Sequence, residues 1–224
     1  MVHVTITPYK EDIEPNVINK SEVIKTTLKL SEILGSELVL VRYDPILIND
    51  KYTISYHLMA FDRLCILLKG KIKHFVISFI DLYKNVLNHL DDLKLHKISK
   101  DDIDIICTKF SEIASKYDMD IRSCGEDLDY SKYNFVNKGC VDRDFISSIV
   151  NKKLPKQNIR KGLSCNCVKM ADIGVYNSCP HRCKYCYANF NEEKILENLK
   201  FHDDNSSLLI GKLKKGDIIK VRKE

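Results

Sequence analysis

Glu37-Leu38-Val39-Leu40-Val41-Arg42-Tyr43 decides the fold. Four apolar residues in succession, Leu38 to Val41, suit a strand covered on both faces, as in a parallel sheet, rather than the alternation of a strand with one wet face. On its N-terminal side, Ile18 to Leu34 carries Val23, Ile24, Leu28, Leu30, Ile33 and Leu34 at helical spacing and stops at Gly35. Before that helix, Val2 to Thr7 is a β-branched run that exits through Pro8, Asp12 and Pro15. On the C-terminal side, Thr53 to Leu68 puts Ile54, Leu58, Phe61, Cys65 and Leu68 on one helical stripe, closed by Gly70. His74 to Ile80 reads as a third strand, Tyr83 to Leu95 and Lys100 to Tyr117 as helical stretches, and Met119 to Cys124 as a fourth strand. Strand alternating with helix means βαβ units, and right-handed crossovers then build a parallel sheet or barrel.

The expected fold is therefore α/β: a partial (β/α) TIM-like barrel with parallel strands over residues 1–150, and a cysteine-rich C-terminal segment over 151–224 packed on it. Four strands do not close an eight-stranded barrel. Polar residues gather just after the strands: Thr7 and Tyr9, Arg42 and Asp44, Ser78 and Asp81, Ser123 and Cys124. In β/α barrels those C-terminal strand ends carry the active site. Arg42 and Asp44 are candidate cofactor contacts, with an internal ion pair or a helix cap as the alternative reading.

Beyond Glu126 the pattern changes. Asp142 to Val150 makes a short helix, Asn151 to Lys161 a basic linker, Asn191 to Lys200 a helix capped by Asn191, and Leu208 to Val221 a terminal hairpin around Lys215-Gly216-Asp217. With 44% hydrophobic and 30% charged residues among 224, the chain is an ordinary globular protein and not a disordered one. No apolar run approaches the ~20 residues that span a bilayer. Met1 to Pro15 holds neither a basic leader nor an apolar stretch of signal length, so the expected location is the cytoplasm. The net charge of +5 demands no nucleic acid. Basic residues do cluster at Lys152, Lys153, Lys156, Arg160 and Lys161, and again at Lys212, Lys214, Lys215, Lys220, Arg222 and Lys223. Solvated linker and tail explain both runs, and a nucleic-acid contact is the alternative.

Nine cysteines are many for a chain in a reducing compartment, and seven of them fall from Cys124 onward, which points to metal or redox chemistry. Cys65 and Cys107 sit on apolar helical stripes and read as small core residues. Cys179-Pro180-His181-Arg182-Cys183-Lys184-Tyr185-Cys186-Tyr187 is different. Gaps of three and two residues let one loop aim three thiolates at a common point, and soft thiolates suit an iron–sulfur cluster or zinc. Three cysteines leave one iron of a [4Fe–4S] cube without a protein sulfur from this loop. The zinc alternative would take His181, Cys165 or Cys167 as fourth ligand. Cys124, Cys140, Cys165 and Cys167 lie at a strand end or in loops. They are candidates for a second metal site, an auxiliary cluster or zinc, against the alternatives of unpaired thiols or of one completing the first cluster. His181 and Arg182 inside the loop, and Asp172 and Tyr176 before it, are candidate supporting residues.

The Cys-x3-Cys-x2-Cys spacing with Tyr185 before the last cysteine resembles the signature of radical S-adenosylmethionine (SAM) enzymes. That resemblance implies a [4Fe–4S] cluster on Cys179, Cys183 and Cys186, with SAM bound at the open iron and Tyr185 near its nucleoside. One electron would then cleave SAM to methionine and a 5′-deoxyadenosyl radical, and a ferredoxin or flavodoxin would supply the electron. Thr5-Ile6-Thr7-Pro8-Tyr9, Arg42-Tyr43-Asp44-Pro45-Ile46, Val76-Ile77-Ser78-Phe79, Cys165-Asn166-Cys167 and Asp172-Ile173-Gly174-Val175-Tyr176-Asn177 together resemble one bacterial family, the domain of unknown function eighteen-forty-eight. The resemblance spans essentially the whole chain. It implies a further N-terminal stretch before Val4 that this chain lacks, and a truncated barrel would hold a cluster without completing catalysis. It also departs from the radical SAM pattern, where the cysteine loop follows the first barrel strand. A non-catalytic iron–sulfur or electron-transfer protein, and a zinc-stapled structural or nucleic-acid-binding module, are the competing readings. The substrate cannot be read from these residues.

Overall fold

The computed structural model describes residues 1–124, 131–157 and 166–219. Four strands, β1 (Val2–Thr5), β2 (Val39–Ile46), β3 (His74–Phe79) and β4 (Asp120–Ser123), form a parallel sheet in the order β1-β2-β3-β4. Between them run the long helices α1 (Lys20–Leu34), α2 (Ile54–Leu68) and, after the short turns α3 (Lys84–Leu87) and α4 (Leu90–Leu93), α5 (Lys100–Lys116). α6 (Arg143–Val150) and α7 (Glu192–Lys200) follow.

The helices start where short polar side chains catch free N–H groups. Asn19 caps α1, Thr53 caps α2, and Ser99 with Asp102 forms a reciprocal capping box on α5. α1 ends at Gly35, whose φ of 89° a side chain would resist and whose N–H bonds Ser31 O at 2.9 Å.

Register sorts the strand residues onto two faces. Val39, Val41, Tyr43, Phe75, Ile77 and Ile121 join one buried cluster with Phe61, Leu64 and Leu68 of α2 and Ile106, Phe110 and Ala114 of α5, while Val23, Ile24 and Leu28 of α1 pack at its margin. At its centre Phe61 stacks on Phe110 with ring centroids 4.0 Å apart, and Tyr43 meets both rings edge-on. All three long helices thus lie on one face. The opposite face carries His3, Arg42, Asp44, His74, Ser78, Asp120 and Arg122, with Leu40 and Val76 as its apolar patch. His74 there stands 2.9 Å from Asp120 and 2.9 Å from Glu37.

Cys65 and Cys107 are fully buried in the main core, as their stripes implied. The stretch Tyr83 to Leu95 differs from its sequence pattern. It is two short helices rather than one, because Asn88 N turns back to Asn85 O at 3.3 Å and so closes α3 early. That break lets Val86 and Leu93 both enter a second core with Tyr9, Ile13, Leu47 and Tyr52. The expected C-terminal hairpin is also absent among the described residues. Lys214 O does accept from Asp217 N at 3.1 Å, but Leu213, Ile218 and Ile219 find no surface to bury against. Arg160, Lys161, Lys220, Arg222 and Lys223, and Val221 of that hairpin, lie outside the described residues. Among the described residues no helix is long and apolar enough to cross a membrane.

His57 sits wholly inside, between the Tyr43 hydroxyl at 2.9 Å and Leu47 O at 2.8 Å. The carbonyl needs a proton on Nε2, so Nδ1 accepts from Tyr43 and the ring is neutral. Burial pushes its pKa down to about 4, against a weaker upward pull from the Leu47 carbonyl. The unfolded ring takes up a proton near pH 6.5, before the folded one does. Its share of stability is therefore intact above about 6.5 and is lost as pH falls towards 4, about 3 kcal/mol in all. Urea unfolding at pH 7 and pH 4.5 checks this: the midpoint falls with acid, and His57→Gln flattens the fall.

Candidate functional site

The cysteine loop is fastened to the chain that leaves β1. Asn16 N donates to His181 O at 3.2 Å, Asn16 Nδ2 to Pro180 O at 2.9 Å, and Lys184 N to Ile13 O at 3.0 Å. From the chain that leaves β3, Asn85 Nδ2 donates to Tyr187 O, and Asp92 stands 3.5 Å from Lys184 Nζ. The loop thus abuts segments that continue from the C-terminal ends of the strands.

Its anchor is Tyr185. The ring packs into the second core, 5.9 Å from that of Tyr9, and the hydroxyl donates to the Glu14 carboxylate. Glu14 is buried and also receives Thr7 Oγ1 and the Lys20 ammonium, while Lys20 Nζ reaches Thr7 Oγ1 at 3.1 Å. Burial, then the Glu14 charge, holds the Tyr185 phenol far above its ordinary range. A groove of about 500 Å³ opens beside this group between α1 and α2, and no cysteine lines it.

The base of the loop is pinned by Asn177, which sequence reasoning passed over as part of a longer motif. Its Oδ1 accepts from Phe190 N at 2.8 Å and Asn191 N at 3.0 Å, and its N donates to Ala188 O at 2.9 Å. Asn177 adopts φ 55°, a left-handed conformation that Asn tolerates better than most residues. Asn198 Nδ2 of α7 reaches Asn177 O at 2.9 Å, and Asn189 Nδ2 reaches Cys179 O at 2.8 Å. Arg182, also at positive φ (57°), pairs with Glu192. His181 enters through its backbone carbonyl alone; Tyr176 packs against Tyr187 and Phe190, and Asp172 caps Gly174 N at 2.8 Å.

Cys179 is exposed, and Cys183 and Cys186 are half-buried. The Cys183 thiol is pushed up to about 12, by burial first, then by the Glu14 charge and by the Cys186 and Cys179 thiols, with Tyr185 pulling the other way. Cys183 thus feels both other thiols of the loop. This donor set fits an iron–sulfur cluster in kind: three soft sulfur ligands, one of them facing solvent. Among the described residues no three His, Cys, Asp or Glu side chains are gathered around a single-ion position.

Arg42 and Asp44 pair with each other. Arg42 Nε lies 3.1 and 3.0 Å from the two carboxylate oxygens and Nη2 2.5 Å from Oδ2, with Ser78 Oγ 3.4 Å from Oδ2. Burial opposes the guanidinium charge, but Asp44 outweighs it and raises Arg42 above its ordinary value. The guanidinium also faces the Cys124 thiol.

Cys124 belongs to a second thiol group. Its Sγ is 3.5 Å from Cys140 Sγ, which is 3.5 Å from Cys167 Sγ. Cys165 lies outside the described residues. Contact with Cys140, then burial, pushes Cys124 well above the ordinary thiol value, with Arg42 opposing. Cys140 is raised too: Cys124 lowers it, but Cys167 and burial outweigh that pull. Cys140 and Cys167 pack on Leu40 and Val76, the apolar patch of the polar sheet face. Glu14, Asn16, His3 and Arg122 carry these arrangements without any motif to announce them.

A parallel sheet with every long helix on one face, a thiol group on the other face, and a thiol loop held by chain that leaves the strand ends define a class of α/β protein. Within it, the chain belongs to the family described as domain of unknown function (DUF1848), whose model matches residues 1–188. Neither comparison with curated proteins nor comparison with solved structures gives a match.

Replacing Asn177 by Ala removes the one side-chain oxygen that accepts from two backbone N–H groups in a buried position, and strains φ. The expected cost is about 2–3 kcal/mol. Asn16→Ala, at an exposed site, costs less than about 1.5 kcal/mol. Thermal melts, together with faster amide exchange at Phe190 and Asn191 in the first variant only, check this.

Proposed function

We propose that the protein binds a [4Fe–4S] cluster through Cys179, Cys183 and Cys186 and acts as a radical SAM-type protein on a sector of a β/α barrel. The observation that carries the reading is the seat of the cysteine loop: one loop with three thiols, fastened by Asn16, Ile13, Asn85 and Glu14 to chain leaving the C-terminal strand ends. Two features support the barrel. The strand order is monotonic, and the helices share one face, whereas a doubly wound sheet reverses its order and carries helices on both. The polar residues of the other face would then point inward.

When bound, the cluster supplies the electron that cleaves SAM; the protein supplies position and shielding. Tyr185 is held by Tyr9 and Glu14, so its neighbours Lys184 and Cys186 follow a fixed backbone path. Cys186 N donates to Cys183 O at 3.0 Å, a turn that brings the backbone of these two cysteines close together. Glu14, the buried carboxylate nearest the loop, offers negative potential to a cationic ligand such as a sulfonium. Arg42 and Asp44 remain the cofactor-binding pair of this reading, with a ferredoxin or flavodoxin as reductant.

The test is to purify the protein without oxygen, reconstitute it with iron and sulfide, and record EPR after reduction with and without SAM. A [4Fe–4S]⁺ signal that changes on adding SAM is expected, lost in Cys183→Ala and kept in Cys65→Ala. A cluster signal indifferent to SAM would make the chain an electron carrier or an inactive relative. Colourless protein with stoichiometric zinc would overturn the cluster.

A further inference from the structure

The second thiol group sits on the polar sheet face, and its surroundings are built to bring it together. Cys124 follows β4, Cys140 follows Gly139, and Cys167 comes from a distant part of the chain. The strand-like bridge between Asp142 and Cys167 joins the last two, with Val168 N on Val141 O at 3.0 Å and Arg143 N on Asn166 O at 2.9 Å. Asp142, itself buried, caps α6 through Phe145 N at 2.9 Å and accepts from Gly139 N at 3.2 Å. Gly139 has no room for a side chain: a Cβ there would lie 2.9 Å from the Cys167 backbone N and 3.0 Å from its Sγ. Backbone has thus been brought close to sulfur.

Around the thiols are two buried polar atoms without a hydrogen-bond partner among the described residues. Arg122 is 3% exposed, and its Nε has no hydrogen-bond partner among the described residues, the Asp120 carboxylate standing 3.9 Å away. Its Nη1 reaches Gly139 O at only 3.5 Å, a weak bond. His3 Nε2 is buried without a partner as well, on a ring lying beside the Cys140 carbonyl, Arg42 and Arg122. A buried guanidinium N–H and a buried imidazole nitrogen without partners are costly, and both losses fall in one place.

We propose that Cys124, Cys140 and Cys167 form a second metal site, separate from the Cys179–Cys186 loop, for a thiophilic divalent ion of the zinc or ferrous class. Three thiolates on such an ion leave a net negative charge, which Arg42 beside Cys124 and Arg122 beside Gly139 would share with their present carboxylates, Asp44 and Asp120. As they stand the three thiols do not enclose a single-ion position, so binding requires Cys124 and Cys167, each 3.5 Å from Cys140, to rotate about it. His3 is the candidate fourth donor, since its Nε2 carries a spare coordinating position once a ring partner holds the other nitrogen. Binding would replace three protons by one ion and convert a packing contact between three chain segments into a covalent-strength clamp.

The experiment uses the full chain carrying Cys179→Ala, Cys183→Ala and Cys186→Ala, so that the first site cannot contribute. After metal removal, cobalt(II) is titrated in and the thiolate-to-cobalt absorption followed, and zinc and iron are measured by mass spectrometry in protein as purified. About one equivalent of metal per chain and thiolate-to-cobalt bands are expected. Zinc or iron in the purified chain identifies the natural ion. Adding Cys140→Ser, which takes away the thiol that touches both others, should remove the bands, and Cys124→Ser or Cys167→Ser alone should each weaken them. The two single variants keep the test decisive even where Cys140→Ser unfolds. Absence of cobalt bands in the loop-free chain, or bands unchanged by all three serine variants, overturns the second site. Neither result touches the cluster on the loop, whose ligands are missing from this protein, and loss of that cluster in the wild-type chain leaves this titration unaffected.

Discussion

Each parallel strand pair needs a crossover, and in this chain all three long helices fall on the same side of the sheet. That one-sidedness is the constraint from which the rest follows. The helix side takes Val, Ile, Phe and Tyr and becomes the main core. The other side cannot be left bare, yet it carries His3, Arg42, Asp44, His74, Asp120 and Arg122, which no helix stripe could cover without stranding their charges. It is covered by irregular chain bearing cysteines and backbone polar groups. The Arg42–Asp44 pair and the flanking of His74 by two carboxylates satisfy much of the charge internally. Arg122 and His3 are where that satisfaction stops.

The same constraint explains why Glu14 matters more than its place in the sequence suggests. It stands in a turn-rich stretch, Asp12-Ile13-Glu14-Pro15, that reads as an exposed connection. In the folded chain it is buried among Thr7, Lys20 and Tyr185 and so ties β1's exit, the first turn of α1 and the cysteine loop to one carboxylate. A buried carboxylate with three donors is an organising point, and removing any one donor leaves the others around a less compensated charge.

How far the sequence carried the reading depends on how local the determinant was. Strands and long helices were legible because their periods are local: Leu38 to Val41 lies at and within the start of β2, and Asn19, Thr53 and Ser99 mark helix starts. The break between α3 and α4 was not legible, since it depends on Val86 and Leu93 reaching a core made by Tyr9 and Tyr52. The cysteine loop was legible from spacing, and Tyr185 from its place within it. The partners that hold the loop were not, because Asn16, Glu14 and Asn85 lie more than a hundred and fifty, and about a hundred, residues away and belong to no periodic pattern. For the second thiol group, Cys-x-Cys marked the region, but Cys124 and Cys140 enter it through sheet register and through the glycine that admits Cys167.

The two thiol groups stand in opposite electrostatic settings, and this bears on what each can hold. Cys183 lies near the Glu14 carboxylate, which disfavours a bare thiolate and makes a positively charged occupant the natural complement. Cys124 and Cys140 lie near Arg42, which favours thiolate charge and tolerates an anionic assembly of sulfur around an ion. Glu14 is already paired with Lys20, and Arg42 with Asp44, so the two positions differ in their nearest charge rather than in net charge. Under the proposed readings, the loop would present Glu14 towards a cationic ligand, and the strand end would present Arg42 to thiolates gathered around an ion. The difference follows from where Glu14 and Arg42 are placed, and it does not depend on the cysteine spacing.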